Sequence, residues 1–218
     1  AMRESVGRII ETLRSVRKQK KIFLFLIAFF FFIDGVYTII DMATAYGSAL
    51  GLDSTGLLLA LLVTQFVAFP FSILFGRLAT KYDTGKLILT CIAAYTGITV
   101  FAVFMKAQWQ FWVLAIFVGM FQGGIQALSR SYFAKIVPPE RSGEYFGLMD
   151  ICGKGASFMG TTVVGLASQA FGSINIGISA IVFLFLAGAL FFMKTAHSGS
   201  ESTKNQENIV MGQQMFHD

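Results

Sequence analysis

Residues 22–50 read IFLFLIAFFFFIDGVYTIIDMATAYGSAL, and this stretch decides the fold. From Ile22 to Ile33 every residue is apolar. A helix needs about 20 mostly apolar residues to cross a bilayer core, and the whole stretch 22–50 is long enough to do so. Asp34 is its first ionisable residue, roughly 18 Å of helix from Ile22 at 1.5 Å per residue. That depth is the middle of a bilayer, where a charged group is expensive and usually marks function or pairing.

Outward from this stretch the same texture recurs. Further apolar spans are expected at about Thr55–Thr80 with Pro70 inside it, Leu87–Met105, Phe111–Ile136, Tyr145–Phe171 and Ile174–Met193. The whole chain of 218 residues is 55% hydrophobic and 13% charged. A soluble domain carries about a quarter charged residues to cover its surface, so this chain cannot form an ordinary soluble globule. The ten-residue alternation of an outer-membrane barrel is absent. Helices are then the structures that satisfy the backbone in lipid.

The net charge of +5 is distributed in a way that excludes nucleic acid as the partner. Arg3, Arg8, Arg14, Arg17, Lys18, Lys20 and Lys21 precede the first span. Arg77, Lys81 and Lys86 lie around the second link, Arg130, Lys135 and Arg141 around the fourth, and Lys194 and Lys204 after the sixth span. Only Lys106 is at an opposite link, and Lys154 is inside a span. The positive-inside rule therefore predicts an even number of spans with both termini cytoplasmic. Trp109 and Trp112 fit an interfacial anchor at the outer boundary. Three segments are expected: a basic cytoplasmic linker helix at 1–21, a six-helix transmembrane bundle at 22–194 and a disordered cytoplasmic tail at 195–218.

Cys91 and Cys152 fall within spans and read as small buried hydrophobes, while His197 and His217 lie in the tail. No metal-ligand spacing, phosphate-binding loop or catalytic motif occurs, so neither cofactor, metal nor enzymatic activity is expected.

The polar residues inside the spans have a three-span rhythm. Span one carries Asp34, Tyr37 and Asp41, at helical offsets that suggest one face. Span four carries Gln122, Gln126 and Arg130, also at helical spacing. Span five carries Asp150 and Lys154, an i,i+4 pair of opposite sign expected to bond to each other as a gate or charge pair. Spans three and six hold no ionisable residue in their interiors. Because topology inverts every three spans, the expectation is an all-α membrane protein of six transmembrane helices, arranged as two inverted three-helix repeats. Asp34, Tyr37, Asp41, Gln122, Gln126 and Arg130 are the candidate substrate- or ion-binding residues. Asp34 leads as a proton-coupled carboxylate, since low-dielectric surroundings favour the neutral form of an acid. Plain packing is the competing reading for Tyr37, interhelical hydrogen bonding for the two glutamines, and snorkelling for Arg130. The many glycines of spans four and five read as sites of tight helix packing.

Two segments resemble a known family. Gly76-Arg77-Leu78-Ala79-Thr80-Lys81-Tyr82-Asp83-Thr84-Gly85-Lys86 resembles the loop signature that follows the second helix of a major facilitator half. Here Thr80 stands where the signature has an acid, and an acid follows at Asp83. The run Gln122-Gly123-Gly124-Ile125-Gln126-Ala127-Leu128-Ser129-Arg130-Ser131-Tyr132-Phe133-Ala134, with Val137-Pro138, Glu144-Tyr145-Phe146-Gly147-Leu148 and Gly153-Lys154, resembles the UMF-type major facilitators, relatives of fungal vacuolar amino-acid effluxers. Asp34-Gly35-Val36 and Thr38-Ile39-Ile40 fit as well. Where that family has a Gly-Pro step, this chain has Gly160-Thr161.

The resemblance covers about residues 8–194 and implies one major facilitator half-bundle, helices seven to twelve of twelve. It implies secondary transport of a small solute by alternating access, such as efflux of an amino acid or metabolite, in a bacterial plasma membrane. The implied partners are the lipid bilayer, the solute, protons, and a missing N-terminal six-helix half or a second copy of the chain. The alternative is a non-transporting membrane scaffold or assembly module.

Overall fold

A computed structural model describes the backbone of residues 12–49 and 51–214, with side chains to residue 195. The expected linker at 1–21 therefore lies partly outside the described residues; its remainder is helical over 12–18. Six long helices follow: α1 (Lys20–Ala49), α2 (Ser54–Lys81), α3 (Thr84–Val103), α4 (Gln108–Ile136), α5 (Ser142–Phe171) and α6 (Ile174–Gln214), with a 3₁₀ turn at Pro139–Arg141 before α5.

The boundaries follow from local chemistry. Asp53 accepts from the Gly56 amide at 2.8 Å and caps α2, and Asp83 accepts from the Lys86 amide at 2.9 Å and caps α3. Each satisfies a donor that the first helical turn leaves without an intrahelical partner. Gln110 does the equivalent for α4, its side-chain oxygen accepting from the Lys106 and Ala107 amides. Between α1 and α2 the chain turns at Gly51 with φ 85, and α5 ends on Gly172 with φ 66. Both are left-handed conformations that glycine adopts without a Cβ penalty.

Five of the six helices are both long and apolar enough to cross a membrane. The exception, α5, has 30 residues, length enough at 1.5 Å per residue. Its hydropathy is lowered by Glu144, Asp150, Lys154, Ser157, Thr161 and Thr162. It packs on α1 and α6, and Asp150 and Lys154 line an open polar cavity that α5 shares with α1 and α4, a setting in which ionisable groups of membrane helices are tolerated. At the other end of the expected bundle, α6 does not stop near residue 194 but continues as helix to Gln214, through the segment expected as a disordered tail. That segment lacks proline and contains Glu201, Lys204, Gln206 and Glu207, all good helix formers, so extending an existing helix is inexpensive.

The packing has the symmetry that the polar rhythm suggests. α1 packs on α5 and α6, while α4 packs on α2 and α3. Exchanging α1 with α4, α2 with α5 and α3 with α6 turns the first set into the second. The α3–α6 contact maps onto itself. The match is weakest where α5 leans heavily on α6, because α2 barely touches α3. The core is aromatic: Phe25 of α1 stacks on Tyr132 and Phe133 of α4 with ring centroids at 5.3 Å, and Tyr95 of α3 stacks on Phe185 of α6 at 5.5 Å.

Two glycines let α4 lie against α2. A Cβ on Gly119 would stand 2.6 Å from the Thr64 carbonyl oxygen, and one on Gly123 would stand 2.6 Å from the Ala68 carbonyl oxygen. Backbones this close tolerate only hydrogen at those positions. Gly123→Leu is expected to lower the unfolding midpoint in detergent sharply, and Gly123→Ala to cost about 1–3 kcal/mol. Gly97→Ala, where nothing lies within 4 Å, should leave the midpoint unchanged.

Candidate functional site

The polar residues of the spans fall into two groups, separated by where the helix turns carry them. One residue adds about 100° around an α-helix. From Asp34, Asp41 is therefore offset by only about 20°, whereas Tyr37 is offset by about 60°. Asp34 and Asp41 face α5, and Tyr37 turns into a cavity. The single face expected for all three divides.

The cavity has a volume of about 200 Å³ and lies among α1, α4 and α5. α1 contributes Phe29, Ile33 and Tyr37, α4 contributes Gln126 and Arg130, and α5 contributes Met149, Asp150, Gly153 and Lys154. On α4 the i,i+4 steps drift by about 40° each, so Gln122 turns away from this space. Its Oε1 is buried with no hydrogen-bond partner among the described residues. Across the cavity, Arg130 Nη2 donates to Asp150 Oδ1 at 2.8 Å, with the two side chains 58% and 49% exposed.

In this structure that ion pair stands in place of the expected partnership of Asp150 with Lys154. The i,i+4 spacing permits the intrahelical pair, but the long, donor-rich guanidinium of Arg130 reaches Asp150 from the facing helix. Lys154 also lines the cavity and makes no ion pair or hydrogen bond among the described residues. Arg130 thus does not simply snorkel to the interface, and α4 and α5 are bridged although their backbones do not pack closely.

The second group ties α1 to α5. Asp34 is fully buried, and its Oδ1 accepts from the backbone N–H of Gly160 at 2.9 Å and from Thr38 Oγ1 at 3.3 Å. Its Oδ2 is buried without a partner among the described residues. Two turns along, Ser157 Oγ donates to Asp41 Oδ2 at 2.7 Å. Asp34 is therefore not part of the cavity wall, although its position in the middle of span one makes it the leading binding candidate from sequence. Gly160 is obligatory here: a Cβ would overlap Thr38 Oγ1 and Asp34 Oδ1 and come within 2.9 Å of Asp34 Cγ. Thr38, Ser157 and Gly160 are the residues that sequence reasoning misses. Their signal is present in the spacing, because Asp34, Thr38 and Asp41 share one helical face, as do Ser157 and Gly160.

The loop residues that resemble the facilitator signature have mainly local roles. Asp83 caps α3 through the Lys86 amide. Gly85 sits beneath Asp83, where a Cβ would be 3.1 Å from Asp83 Oδ1. Thr80 Oγ1 donates to the Arg77 carbonyl at 2.7 Å, and Gly76 has open space around it. The loop is joined to α4 at Thr84, whose Oγ1 accepts from Lys135 Nζ at 2.9 Å. At the same end of the bundle, the helical segment 12–18 and the residue after it lean on α5: Thr12 Oγ1 donates to Glu144 Oε2 at 3.0 Å, and Gln19 Nε2 donates to the Tyr145 hydroxyl at 2.8 Å. Among the described residues no cluster of His, Cys, Asp and Glu is arranged to hold a metal ion.

A half-bundle with a polar cavity against its first and fourth helices directs attention to facilitator-type transporters, and the family comparison agrees. The model of vacuole effluxer Atg22-like proteins matches residues 1–204. The chain belongs to this family. Among relatives of this Atg22-like chain, the uncharacterized MFS-type transporter YxiO of Bacillus subtilis is 42% identical over 204 residues, covering 94% of the chain and 48% of the relative. Autophagy-related protein 22 of Saccharomyces cerevisiae is 30% identical over 173 residues, covering 74% and 33%. Autophagy-related protein 22-2 of Aspergillus niger is 24% identical over 220 residues, covering 93% and 37%. The Atg22-like chain thus spans about half the length, or less, of these curated relatives. It is a multi-pass membrane protein of the facilitator type.

The Asp34–Gly160 contact gives a stability prediction. Gly160→Ala is expected to separate α1 from α5 and lower the unfolding midpoint well below that of Gly155→Ala, whose Cβ meets nothing within 4 Å. Asp34→Ala removes the acceptor but adds no bulk; the expected cost is about 1–3 kcal/mol for the donors left without it. Equal midpoints for Gly160→Ala and Gly155→Ala would show that the tie does not hold α1 against α5.

Proposed function

We propose that this chain is the C-terminal half of a secondary transporter that moves a small solute by alternating access. The observation carrying the reading is the cavity itself: a polar pocket lined by α1, α4 and α5, with an ion pair across it. Such a pocket in a bundle of inverted three-helix repeats is the arrangement expected of a solute site near the bilayer midplane. The chain's coverage of 48% of the Bacillus relative supports the word half. Six more helices, or a second copy of this chain, would complete the walls. The charge asymmetry of the loops supports cytoplasmic termini, and the similarity to YxiO supports a bacterial plasma membrane. The relatives bear transporter and autophagy-related names, which supports transport without enzymatic chemistry.

In this reading Tyr37 and Gln126 hydrogen-bond the solute. Arg130 and Asp150 hold α4 and α5 together in one state and separate in the other. Asp34 acts at the α1–α5 boundary, out of reach of the cavity, and is the proposed proton-responsive carboxylate. Gln122 has a buried amide oxygen free to accept a hydrogen bond when α4 shifts.

The test is solute flux in liposomes reconstituted with the complete two-half protein. Arg130→Gln and Asp150→Asn are each expected to slow flux at least about tenfold, and the double variant to be no worse than either single one, because partners in one pair are not additive. Asp34→Asn should abolish dependence on a proton gradient; a variant with full proton-dependent uptake removes Asp34 from that role. Absence of flux for every solute tested, with a folded protein, would favour the scaffold reading.

A further inference from the structure

The geometry points to a small organic anion, a monocarboxylate with a short apolar body, as the solute class that this cavity accepts. The inference rests on the transport reading and concerns the same site. It comes from counting the charges that face the space. Three ionisable side chains that are charged at neutral pH line the cavity: Arg130, Asp150 and Lys154. Arg130 and Asp150 neutralise one another at 2.8 Å. Lys154 is left with no ion pair or hydrogen bond among the described residues, so the part of the wall that this chain supplies carries one uncompensated positive charge.

Among the described residues, Asp150 is the one carboxylate that lines the cavity. Its Oδ1 is engaged by Arg130. Asp34 is buried outside the cavity, with the Gly160 amide and Thr38 on its Oδ1. Asp41 takes the Ser157 hydroxyl at 2.7 Å and is likewise absent from the lining. A zwitterionic amino acid entering this space would find a free cation for its carboxylate, whereas on this chain's part of the wall its ammonium would compete with Arg130 for Asp150. An anion finds the Lys154 ammonium, with the Gln126 amide and the Tyr37 hydroxyl as further donors, and charge-assisted bonds of this kind are the strong ones. Phe29, Ile33 and Met149 supply an apolar wall for the hydrocarbon part. A cation is repelled by Lys154 and gains nothing from the closed Arg130–Asp150 pair.

A series that shares one branched isobutyl group isolates the charge. Isovalerate is an anion, isovaleramide neutral, leucine a zwitterion and isoamylamine a cation, and all four carry the same branched apolar body. The complete transporter containing this chain is reconstituted, and each compound is measured both by counterflow and by its shift of the unfolding midpoint at constant ionic strength. Isovalerate is expected to give the largest shift and the fastest counterflow. Lys154→Gln should raise the isovalerate concentration needed for half the effect by about tenfold or more, as for loss of one charged hydrogen-bond partner, and Lys154→Arg should restore most of it. Both variants should keep the midpoint of the unliganded protein, since Lys154 holds no contact that folding needs. Leucine or isovaleramide acting as strongly as isovalerate overturns the anion assignment and leaves the transport reading standing. So does an isovalerate effect untouched in Lys154→Gln. If none of the four compounds shifts the midpoint or exchanges, the anion assignment fails, and a wider panel that is also silent removes the transport reading as well.

Discussion

A carboxylate enclosed among apolar helices must find donors, and the burial of Asp34 governs how the helices around it are set. Its Oδ1 is met by a backbone amide of the facing helix and by a threonine one turn away on its own helix. An unsatisfied buried polar group costs several kcal/mol in a low-dielectric setting, so the rotation of α1 about its axis is constrained. With Asp34 facing Gly160, Tyr37 must point toward α4 and α5, and Gly35 must lie under Phe185 of α6, where a Cβ would be 2.8 Å from the ring. One polar contact therefore orients the aromatic packing on one side of α1 and the cavity wall on the other.

Much of this architecture is legible in the sequence, because a bilayer imposes strong and simple rules. Six long helices, their approximate ends and the inverted triplets follow from apolar run length, short links and the spacing of polar residues. The set of residues around the cavity is also legible: Tyr37, Gln126, Arg130, Asp150 and Lys154 stand out from their position in spans alone. Who faces whom is not. Helical spacing relates residues within one helix, while Arg130–Asp150 joins residues twenty positions apart on different helices. The same limit applies to Asp34 and Gly160. Sequence identifies a buried acid and a glycine, but the amide that satisfies the acid becomes visible only when the helices are placed side by side.

The bundle also shows how membrane helices divide their surfaces. α1 is the most enclosed of the spanning helices and α2 the least. Leu58, Leu62, Phe66, Phe69 and Ile73 of α2 are exposed, while its opposite side meets the glycines of α4. α5 is the polar counterpart: it carries the α1 ties on one side and cavity groups on another. Triplet symmetry of backbone packing thus coexists with a strong asymmetry of chemistry, and that asymmetry gives the cavity its polar side.

The unequal approach of the helices has a mechanical consequence. α2 and α4 mesh through Gly119 and Gly123 at backbone contact, and α1, α5 and α6 form a second closely packed group. Between α4 and α5 the contacts are sparse: a half-exposed ion pair, which water and salt weaken to about 1 kcal/mol or less, and the edge-on packing of Phe133 against Phe146 at 5.3 Å. Close backbone packing is therefore concentrated inside the two groups, and the sparsest contacts lie along the line that runs through the cavity. Widening the cavity between α4 and α5 would cost one ion pair and one aromatic contact and would leave the glycine-backed meshing of α2 with α4 untouched.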